Sequence, residues 1–320
     1  MCTAISENYD THLFGRTLDL EFSYGQGVTL IPKGFEFSYL HERVKGLYSV
    51  IGVSHISEGV PLLFDGMNER GLCMAGLNFP NFASYGVYNP NKINLAPWEL
   101  IPYILRQCTS LSEAIHLLEK INLINESFSS SLPATHLHFM ISDKSGSAVV
   151  EPCESGIKVY QNPFGILTNS PPFPYQRLTL DNYLSLRPDN PVNTLFPSVK
   201  DKIYSRGLGA FGLPGDYSST SRFIRGAFVK ANTDRSGDKI NRFFSIMDTL
   251  KVPCGVIKTD TGASVSTIYT SCMDASTMTY YFTTSSCHKI KGVTLNLDNS
   301  KGDELSFYDM GGDEEISILN

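Results

Sequence analysis

Residues 1–8 read MCTAISEN, so a cysteine stands directly behind the initiator methionine at the start of a short apolar run. Cys2 has two interpretations. In the first it packs in a β-strand, because a free cysteine usually behaves as a small apolar side chain. In the second, removal of Met1 leaves an N-terminal residue that carries both a thiol and a free α-amine. The two interpretations predict different proteins.

The composition is ordinary for a globular chain and argues against several functions. The 320 residues are 42% hydrophobic and 18% charged, which is enough for a full core. A net charge of -6 without a basic stripe argues against a nucleic-acid partner. No run reaches the roughly 18 apolar residues of a membrane span, and no secretory signal opens the chain. Seven scattered cysteines indicate reduced thiols. We therefore expect one cytoplasmic domain over residues 1–320, without a nucleic-acid or membrane partner.

Strands and helices alternate in blocks. Two amphipathic helices are predicted in the first half, one at 96–108 with a kink at Pro102 and one beginning at the capping box Ser110 to Glu113. Two more are predicted from about residue 221 and near 240–250. The predicted strands are CTAIS, HLFGRTL, GVTLIP, YSVIGVSH, GLCMAGL, HLHFMIS, SAVVEP, GIKVYQ, GILT, STIYTSCMD and MTYYFTTSS. This order predicts an α+β fold in which two antiparallel sheets stack with helices outside.

Two apparent motifs carry little weight. GLGAFG at 207–212 matches the spacing of a dinucleotide-binding loop, but it neither follows a buried strand nor opens a helix, so a glycine-rich loop is the better interpretation. His136 and His138 share a strand face, yet no other ligand stands at metal-binding spacing beside them. We therefore expect core or rim histidines and no metal or cofactor.

An N-terminal cysteine offers a compact catalytic centre. The ordinary pKa of an α-amine is about 7.7 to 8.0 and that of a thiol about 8.5, so little thiolate exists at neutral pH. The free amine of the same residue can accept the thiol proton, as it does in N-terminal nucleophiles. A nearby cation would increase the thiolate fraction further.

The sequence contains candidates to support such a centre. Arg16 and Asp19 lie in the apolar stretch LFGRTLDL, where charges need a partner or a function. Residues three apart in a strand face opposite sides, so both reach one site only if the strand bends or ends between them, and Gly15 offers a place for such an irregularity. Asn78 and Asn169 end the runs MAGLN and GILTN, either as turn residues or as donors to an oxyanion.

A further candidate is Arg222, which begins a predicted helix. A cation there opposes the helix dipole, which hints at another use.

Five stretches together resemble the choloylglycine hydrolase family of N-terminal nucleophile hydrolases, which contains bile salt hydrolases and penicillin V acylases. They are MCTAI, FGRTLD, NERGLCMAGLN, LTNSP and GLPGDYSSTSRF, in the family's order along the whole chain. The resemblance implies a four-layer αββα fold, commonly a homotetramer, that hydrolyses an amide bond of a small molecule without a cofactor.

The resemblance also implies roles for the candidate residues. Cys2 would be the nucleophile and its α-amine the base once Met1 is removed, so a chain that keeps Met1 should be inactive. Arg16 would lie beside the thiol, and Asp19 would hold the amine.

The other three positions would serve the oxyanion and its surroundings. The main-chain N–H of Asn78 and the side-chain amide of Asn169 would bind the oxyanion. Arg222 would steady the polar network.

The substrate is less constrained. Asn78 and the pair Tyr175-Gln176 resemble bile salt hydrolases, whereas Ser170 resembles the acylases. We favour conjugated bile acids, with penicillin V as the first alternative and non-catalytic binding of an apolar ligand as the second.

A rigid steroid needs an apolar pocket. Loops at 22–26, 56–64 and 128–133 offer Tyr24, Phe64 and Phe128, although each can equally be a core residue. Ser205-Arg206-Gly207 resembles the loop variant associated with taurine conjugates. Arg206 would then bind the sulfonate, the alternative being a solvated surface arginine.

Overall fold

The computed structural model describes residues 1–200, 202–296, 298, 301–312 and 316–319, so the predicted limit at residue 320 lies outside it. The strands are β1 (Cys2–Asn8), β2 (His12–Leu20), β3 (Gly27–Ile31), β4 (Val50–Ser57), β5 (Val60–Asn68), β6 (Cys73–Asn78), β7 (Ile93–Leu95), β8 (Ile121–Leu123), β9 (Leu137–Asp143), β10 (Gly146–Cys153), β11 (Gly156–Gln161), β12 (Ile166–Leu167), β13 (Ile257–Lys258), β14 (Ser264–Asp274), β15 (Thr279–Thr284), β16 (Lys291–Thr294) and β17 (Ser306–Asp309). The helices are α1 (Leu100–Gln107), α2 (Leu111–Leu118), α3 (Phe173–Leu180), α4 (Ser219–Asn232) and α5 (Lys239–Asp248).

The strands form two large antiparallel sheets. The first has the order β12-β1-β2-β14-β15-β16, with β13 paired to β14. The second has the order β11-β10-β9-β6-β5-β4-β3-β17. A small parallel pair, β7 and β8, lies apart from both. Within the described residues, no helix combines the length and hydrophobicity that a bilayer crossing requires.

Helices cover the outer face of each sheet. Helices α4 and α5 share a core with the first sheet, and α1 and α2 share one with the second. Alternate residues of β6 divide between the two cores, since Cys73 and Ala75 point between the sheets whereas Met74 points towards α1 and α2. The prediction of a four-layer αββα sandwich is therefore confirmed.

The ends of three strands meet where the candidate residues lie. β1 runs between β12 and β2, and Cys2 pairs with Leu18 at its first position. β6 ends at Asn78 in the other sheet, and Asn169 follows β12 by two residues. A hydrogen bond of 2.8 Å from Asn169 Nδ2 to Asn78 O joins the two sheets at this end.

The first predicted helix differs from the structure. A 3₁₀ turn occupies Pro97–Glu99, and α1 begins at Leu100. Pro102 is the third residue of α1, where a backbone N–H would have no partner within the helix, so proline is accommodated without a kink.

Two segments contain regular structure that was not predicted. The stretch 56–64 is a hairpin, with β4 ending at Ser57 and β5 beginning at Val60. Glu58 and Gly59 connect them with φ of 50° and 78°, the left-handed values that a tight hairpin turn needs. No helix was predicted just after residue 171, yet α3 begins at Phe173 with a proline in its first turn.

Candidate active site

The thiol of Cys2 lies between the two sheets and faces Arg16. Arg16 Nη2 donates a hydrogen bond to Cys2 Sγ at 2.5 Å. The guanidinium is itself fixed by the opposite sheet, because Nη1 donates to Gly76 O at 2.7 Å and to Phe64 O at 3.1 Å. Cys2 is buried, yet it lines an open cavity together with Arg16 and Asn78. The structure thus brings the predicted nucleophile and cation together at a surface that ligands can reach.

Arg16 keeps its positive charge although it is buried. Burial lowers its pKa, but the charges of neighbouring groups raise it by more, so the pKa of Arg16 lies above its ordinary value. These groups are the Cys2 thiol, Tyr269, Asp65 and Asp19. A permanent cation in contact with sulfur stabilises the thiolate.

The nitrogen of Cys2 faces a different set of groups. With Met1 in place this nitrogen is an amide, and it donates to Asn169 Oδ1 at 2.9 Å. Met1 extends the pairing of β1 with β2, because the Met1 amino group donates to Asp19 O at 2.5 Å and Asp19 N donates to Met1 O at 2.9 Å.

The Asp19 carboxylate is held by two threonines. Its Oδ1 accepts from Thr267 Oγ1 at 2.6 Å, and its Oδ2 accepts from Thr17 Oγ1 at 3.2 Å. Thr17 and Asp19 share one face of β2, whereas Arg16 occupies the opposite face. The predicted contact of Asp19 with a free α-amine belongs to the chain without Met1 and stays a prediction.

The predicted bend of β2 at Gly15 is wrong. The ladder irregularity lies in the neighbouring strand β14, between Thr267 and Tyr269. Gly15 serves close packing instead, since a Cβ atom there would lie 1.9 Å from Ser271 O. No bend is needed because Cys2 is at the end of its strand. Its sulfur is reached from one face of the sheet and its nitrogen from the strand end.

Asn169 connects the nitrogen side of the site with the second sheet. Its Oδ1 accepts from Cys2 N and, at 2.7 Å, from Arg222 Nη2. Its Nδ2 donates one hydrogen to Asn78 O. A side-chain amide has two donor hydrogens, so a second remains for an acceptor at the site.

Side chains hold the main chain of Asn169 in place. Ser219 Oγ accepts from Asn169 N at 2.8 Å, and Gln176 Nε2 donates to Asn169 O and, at 2.9 Å, to Pro171 O. Gln176 Oε1 also accepts from Thr168 Oγ1 at 3.0 Å. This clamp sets the direction of the Asn169 side chain.

The main-chain N–H of Asn78 lies on the side of β6 that faces away from β9. Phe79 N donates to His136 O at 2.8 Å, so odd residues of this strand bond to β9. In an antiparallel ladder the intervening residues point their N–H and C=O groups to the other side. Gly76 O lies on that other side, where it accepts from Arg16. The N–H of Asn78 therefore shares the side of the Arg16 guanidinium, which contacts Cys2 Sγ.

Arg222 joins the site from the first turn of α4. Its Nη1 donates to Cys2 O at 2.6 Å and to Thr3 Oγ1 at 2.5 Å, and its Nε donates to Tyr217 O at 3.1 Å. Burial lowers the pKa of Arg222 by more than nearby Asp19 and Cys2 raise it, so this pKa lies below its ordinary value. The cation that the helix dipole disfavours is thus used to fix the start of β1.

An apolar cavity of about 310 Å³ opens above these groups. Three predicted pocket residues, Tyr24, Phe64 and Phe128, line it. Tyr24 packs against Phe64 with ring centroids 5.6 Å apart, and Phe128 packs edge-on against Trp98 at 5.1 Å. Further lining residues are Leu18, Leu20, Glu21, Phe22, His55, Leu62, Leu63, Pro97, Ile101, Ser131, Leu132, Pro133, Thr135 and Leu137.

Arg206 is not brought to the site. It is exposed, it precedes the 3₁₀ turn Leu208–Ala210, and it is not among the residues that line the cavity. Within a single chain, the structure therefore does not place Arg206 where it could contact a substrate in the cavity.

The two histidines differ in environment. His138 is buried, donates from Nε2 to Thr168 O at 2.9 Å and stacks on Phe79 at 4.3 Å, whereas His136 is exposed. Among the residues that the structure describes, no group of three metal-ligating side chains is assembled.

Sequence reasoning missed Thr267, Gln176 and Ser219. Thr267 stands in a polar stretch without a distinguishing pattern, 248 residues from Asp19. Ser219 lies in the GLPGDYSSTSRF stretch, 50 residues from Asn169, and nothing in that stretch indicated which group it would hold. Gln176 belongs to the pair Tyr175-Gln176 that resembles bile salt hydrolases, but that resemblance did not indicate its contacts with Asn169 and Pro171.

Comparison with known proteins finds relatives of one family. Residues 2–308 match the family model described as linear amide C–N hydrolases, choloylglycine hydrolase family. A bile salt hydrolase/transferase from Lactiplantibacillus plantarum is 39% identical over 326 residues, covering 100% of both chains. A bile salt hydrolase/transferase from Clostridium perfringens is 33% identical, again covering 100% of both.

Solved structures agree. The conjugated bile acid hydrolase from Clostridium perfringens superposes with a TM-score of 0.93 at 33% identity over 100% of both chains. Penicillin V acylase from Agrobacterium tumefaciens superposes with a TM-score of 0.75 at 24% identity over 97% of this chain and 92% of that one, a likeness of fold.

Proposed function

The chain belongs to the choloylglycine hydrolase family of linear amide C–N hydrolases, and from this premise we propose that it cleaves the amide bond joining a bile acid to taurine or glycine. Relatives at 39% and 33% identity are named for bile salts, which supports this substrate over penicillin V. The observation that carries the proposal is the position of Cys2. Its sulfur contacts Arg16 at the floor of an apolar cavity while its nitrogen contacts Asn169.

Acylation begins when the Cys2 thiolate attacks the amide carbonyl. The negative charge that develops on the carbonyl oxygen needs donors that are already in place. Asn78 contributes its main-chain N–H, which faces the side of the thiol, and Asn169 contributes the second hydrogen of Nδ2. Arg16 stabilises the thiolate before attack.

Proton transfer uses the α-amine of Cys2 once Met1 is removed. The amine accepts the thiol proton and returns it to the nitrogen of the departing amino acid as the C–N bond breaks. The amine then deprotonates a water molecule that attacks the thioester. The bile acid leaves and the Cys2 thiol is restored. Asp19, held by Thr17 and Thr267, stands at the same strand end and is proposed to orient the amine.

The cavity suits a rigid apolar acyl group. Most of its lining residues are apolar or aromatic, and Cys2, Arg16 and Asn78 are among the few polar ones. A pocket of this kind binds a ligand through apolar contact and orients it through few polar groups.

The decisive assay measures amine release from taurocholate, glycocholate and penicillin V by the same preparation, with intact mass recorded to confirm loss of Met1. We expect turnover of the bile acid conjugates that Cys2→Ala abolishes. Faster turnover of penicillin V would identify the protein as a penicillin V acylase instead. If a chain that lacks Met1 turns over none of the three substrates, binding of an apolar ligand without catalysis is favoured.

The predicted preference for taurine has no contact to support it within a single chain, because Arg206 lies outside the cavity lining. The ratio of taurocholate to glycocholate turnover in Arg206→Gln and in the unmodified enzyme decides the role of Arg206. A ratio that the substitution leaves unchanged would remove it from the site.

We further propose a cytoplasmic homotetramer. All seven cysteines are free thiols, as a reducing compartment maintains them. Apolar side chains on the segment 184–211 are each more than half exposed, which is unusual for a monomer and is typical of a contact surface. They are Leu184, Val192, Leu195, Phe196, Val199, Ile203, Tyr204 and Phe211. The mass of the particle in solution tests this state, and a monomer would contradict it.

A further inference from the structure

A carboxylate that the mechanism does not use is buried behind Arg16. Asp65 on β5 is fully buried, and its two oxygens accept hydrogen bonds from tyrosines of the opposite sheet. Tyr280 Oη donates to Oδ1 at 2.6 Å, and Tyr269 Oη donates to Oδ2 at 2.7 Å. Asp65 therefore connects the two sheets by charge-assisted hydrogen bonds.

Asp65 adjoins the groups that hold Arg16. The carbonyl of Phe64, which accepts from Arg16 Nη1, belongs to the peptide bond that leads into Asp65. Asp65 also pairs with Ala75, whose neighbour Gly76 supplies the other carbonyl acceptor of Arg16. Fixing Asp65 thus fixes both main-chain acceptors of the catalytic cation.

Charge makes the second link. Arg16 and Arg222 are both buried. Arg16 contacts the Cys2 sulfur, whereas Arg222 contacts the main-chain oxygen of Cys2 and acts on the thiol through its charge. Asp19 and Asp65 are the carboxylates that interact with Arg16, and with both ionised the buried set is neutral before the thiolate forms.

We propose that Asp65 is a positioning residue that acts through Arg16: ionised and held by Tyr269 and Tyr280, it moderates the positive field at Cys2 and keeps the thiolate a strong nucleophile. The inference rests on the proposed role of Cys2. A thiolate that is stabilised too far loses nucleophilicity, and the best attacking thiol has a pKa near the working pH. Without the Asp65 charge, the two arginines would overstabilise the sulfur.

Opposing effects act on the Asp65 proton. Burial raises its pKa, whereas Arg16 and the two tyrosine hydroxyls lower it, with a net rise. Both Asp65 oxygens accept a hydrogen bond from a tyrosine hydroxyl, as an ionised carboxylate does. The charged and titratable groups that face Cys2 or Asp65 are Arg16, Asp19, Cys73, Arg222, Tyr269, Tyr280 and the Cys2 α-amine.

Alkylation of Cys2 by iodoacetamide, followed across pH, reads the thiolate directly. In the mature enzyme trypsin releases residues 2–16 as one peptide, so mass spectrometry separates Cys2 from the other six cysteines. We expect Asp65→Asn to move the midpoint of alkylation roughly half to one pH unit lower, because a nearby anion disfavours the thiolate. The plateau rate should fall about two- to threefold, because a less basic thiolate is less nucleophilic.

Asp143→Asn is the matched control. Asp143 is also a buried carboxylate of the second sheet, but it lies at the far end of β9, where it accepts from Leu111 N. The Asp143→Asn substitution should destabilise the fold without moving the pH midpoint of Cys2 alkylation. Asp65→Ser, which also removes the charge, replaces the Asn variant if that one does not fold.

An unchanged or higher midpoint in the Asp65 variants would overturn the proposal and leave Asp65 a neutral structural link. Because alkylation needs no substrate, failure to cleave bile salts would reject the proposed function without deciding this point.

Discussion

The nitrogen of Cys2 and the side-chain oxygen of Asn169 are 2.9 Å apart, while the Asn169 amide nitrogen bonds to Asn78. The Asn169 side chain therefore contacts the Cys2 nitrogen, which becomes the proposed base once Met1 is removed, and it also stands at the position proposed for the oxyanion. The arrangement couples the two halves of the chemistry, since displacement of Asn169 would disturb both the amine and the developing charge. It also explains why so many groups restrain the main chain at Asn169.

An uncleavable extension at the amino terminus should abolish turnover without unfolding the protein. Such an extension converts the Cys2 amine into an amide, which cannot accept a proton, and a general base typically contributes about 10² to 10⁴ in rate. The structure accommodates a preceding residue, because Met1 pairs with Asp19. Circular dichroism and taurocholate turnover check this, with the same tag at the carboxyl terminus as control. Equal activity of both forms would contradict the role of the amine.

Asn169→Ala should lower kcat about 10²- to 10³-fold, the usual cost of one oxyanion donor. KM should change little, because Asn169 is not among the residues that line the apolar cavity. Asn182→Ala removes the same group from an exposed 3₁₀ turn and should leave both constants unchanged. A rise in KM with constant kcat would place Asn169 in ground-state binding instead.

Phe128→Ala should weaken substrate binding more than chemistry. Phe128 lines the cavity and packs on Trp98, so the loss is one of apolar area. Removing such a ring costs about 1.5 to 3 kcal/mol, which corresponds to a rise in KM of roughly tenfold or more. Phe307→Ala on β17, away from the cavity, is the control. A large fall in kcat at constant KM would contradict a role of Phe128 in substrate binding.

Stability should fall as the pH drops from about 6.5 towards 4 because of His12. Burial lowers the pKa of His12 to about 4 from an ordinary 6.5, so the unfolded chain binds its proton first. Stability is then complete above the unfolded pKa, and the loss on acidification approaches roughly 3 kcal/mol.

Urea unfolding at pH 7 and pH 4 measures the effect of His12. The difference between the two pH values should shrink in His12→Gln and persist in His116→Gln, a change at an exposed helix position. An identical pH dependence in His12→Gln and the unmodified protein would remove His12 as the cause.

The sequence contained the local features of the site but not its long-range contacts. Cys2 stood out by its position, and Asn78 and Asn169 because each closes an apolar run. Those signals are short-range. Asp65, by contrast, is held by Tyr269 and Tyr280, more than 200 residues away along the chain. A buried carboxylate in an apolar stretch indicates that it has a partner, but the sequence does not identify that partner.

The errors in the fold prediction have physical causes. The prediction of a loop over 56–64 is wrong because Pro61 interrupts the pattern at the start of β5. The bend placed at Gly15 was inferred from one strand alone, whereas the irregularity belongs to its neighbour β14. Pairing between strands distant in sequence is not encoded in either strand by itself.

Met1 and Asp19 are linked by two main-chain hydrogen bonds, so the first residue continues the sheet and is half-buried. A peptidase that removes it needs this end of the chain extended and free. We therefore expect trimming to happen on the nascent polypeptide, before the first two strands meet. Chains that fold too early would remain as latent enzyme, fully shaped and inert.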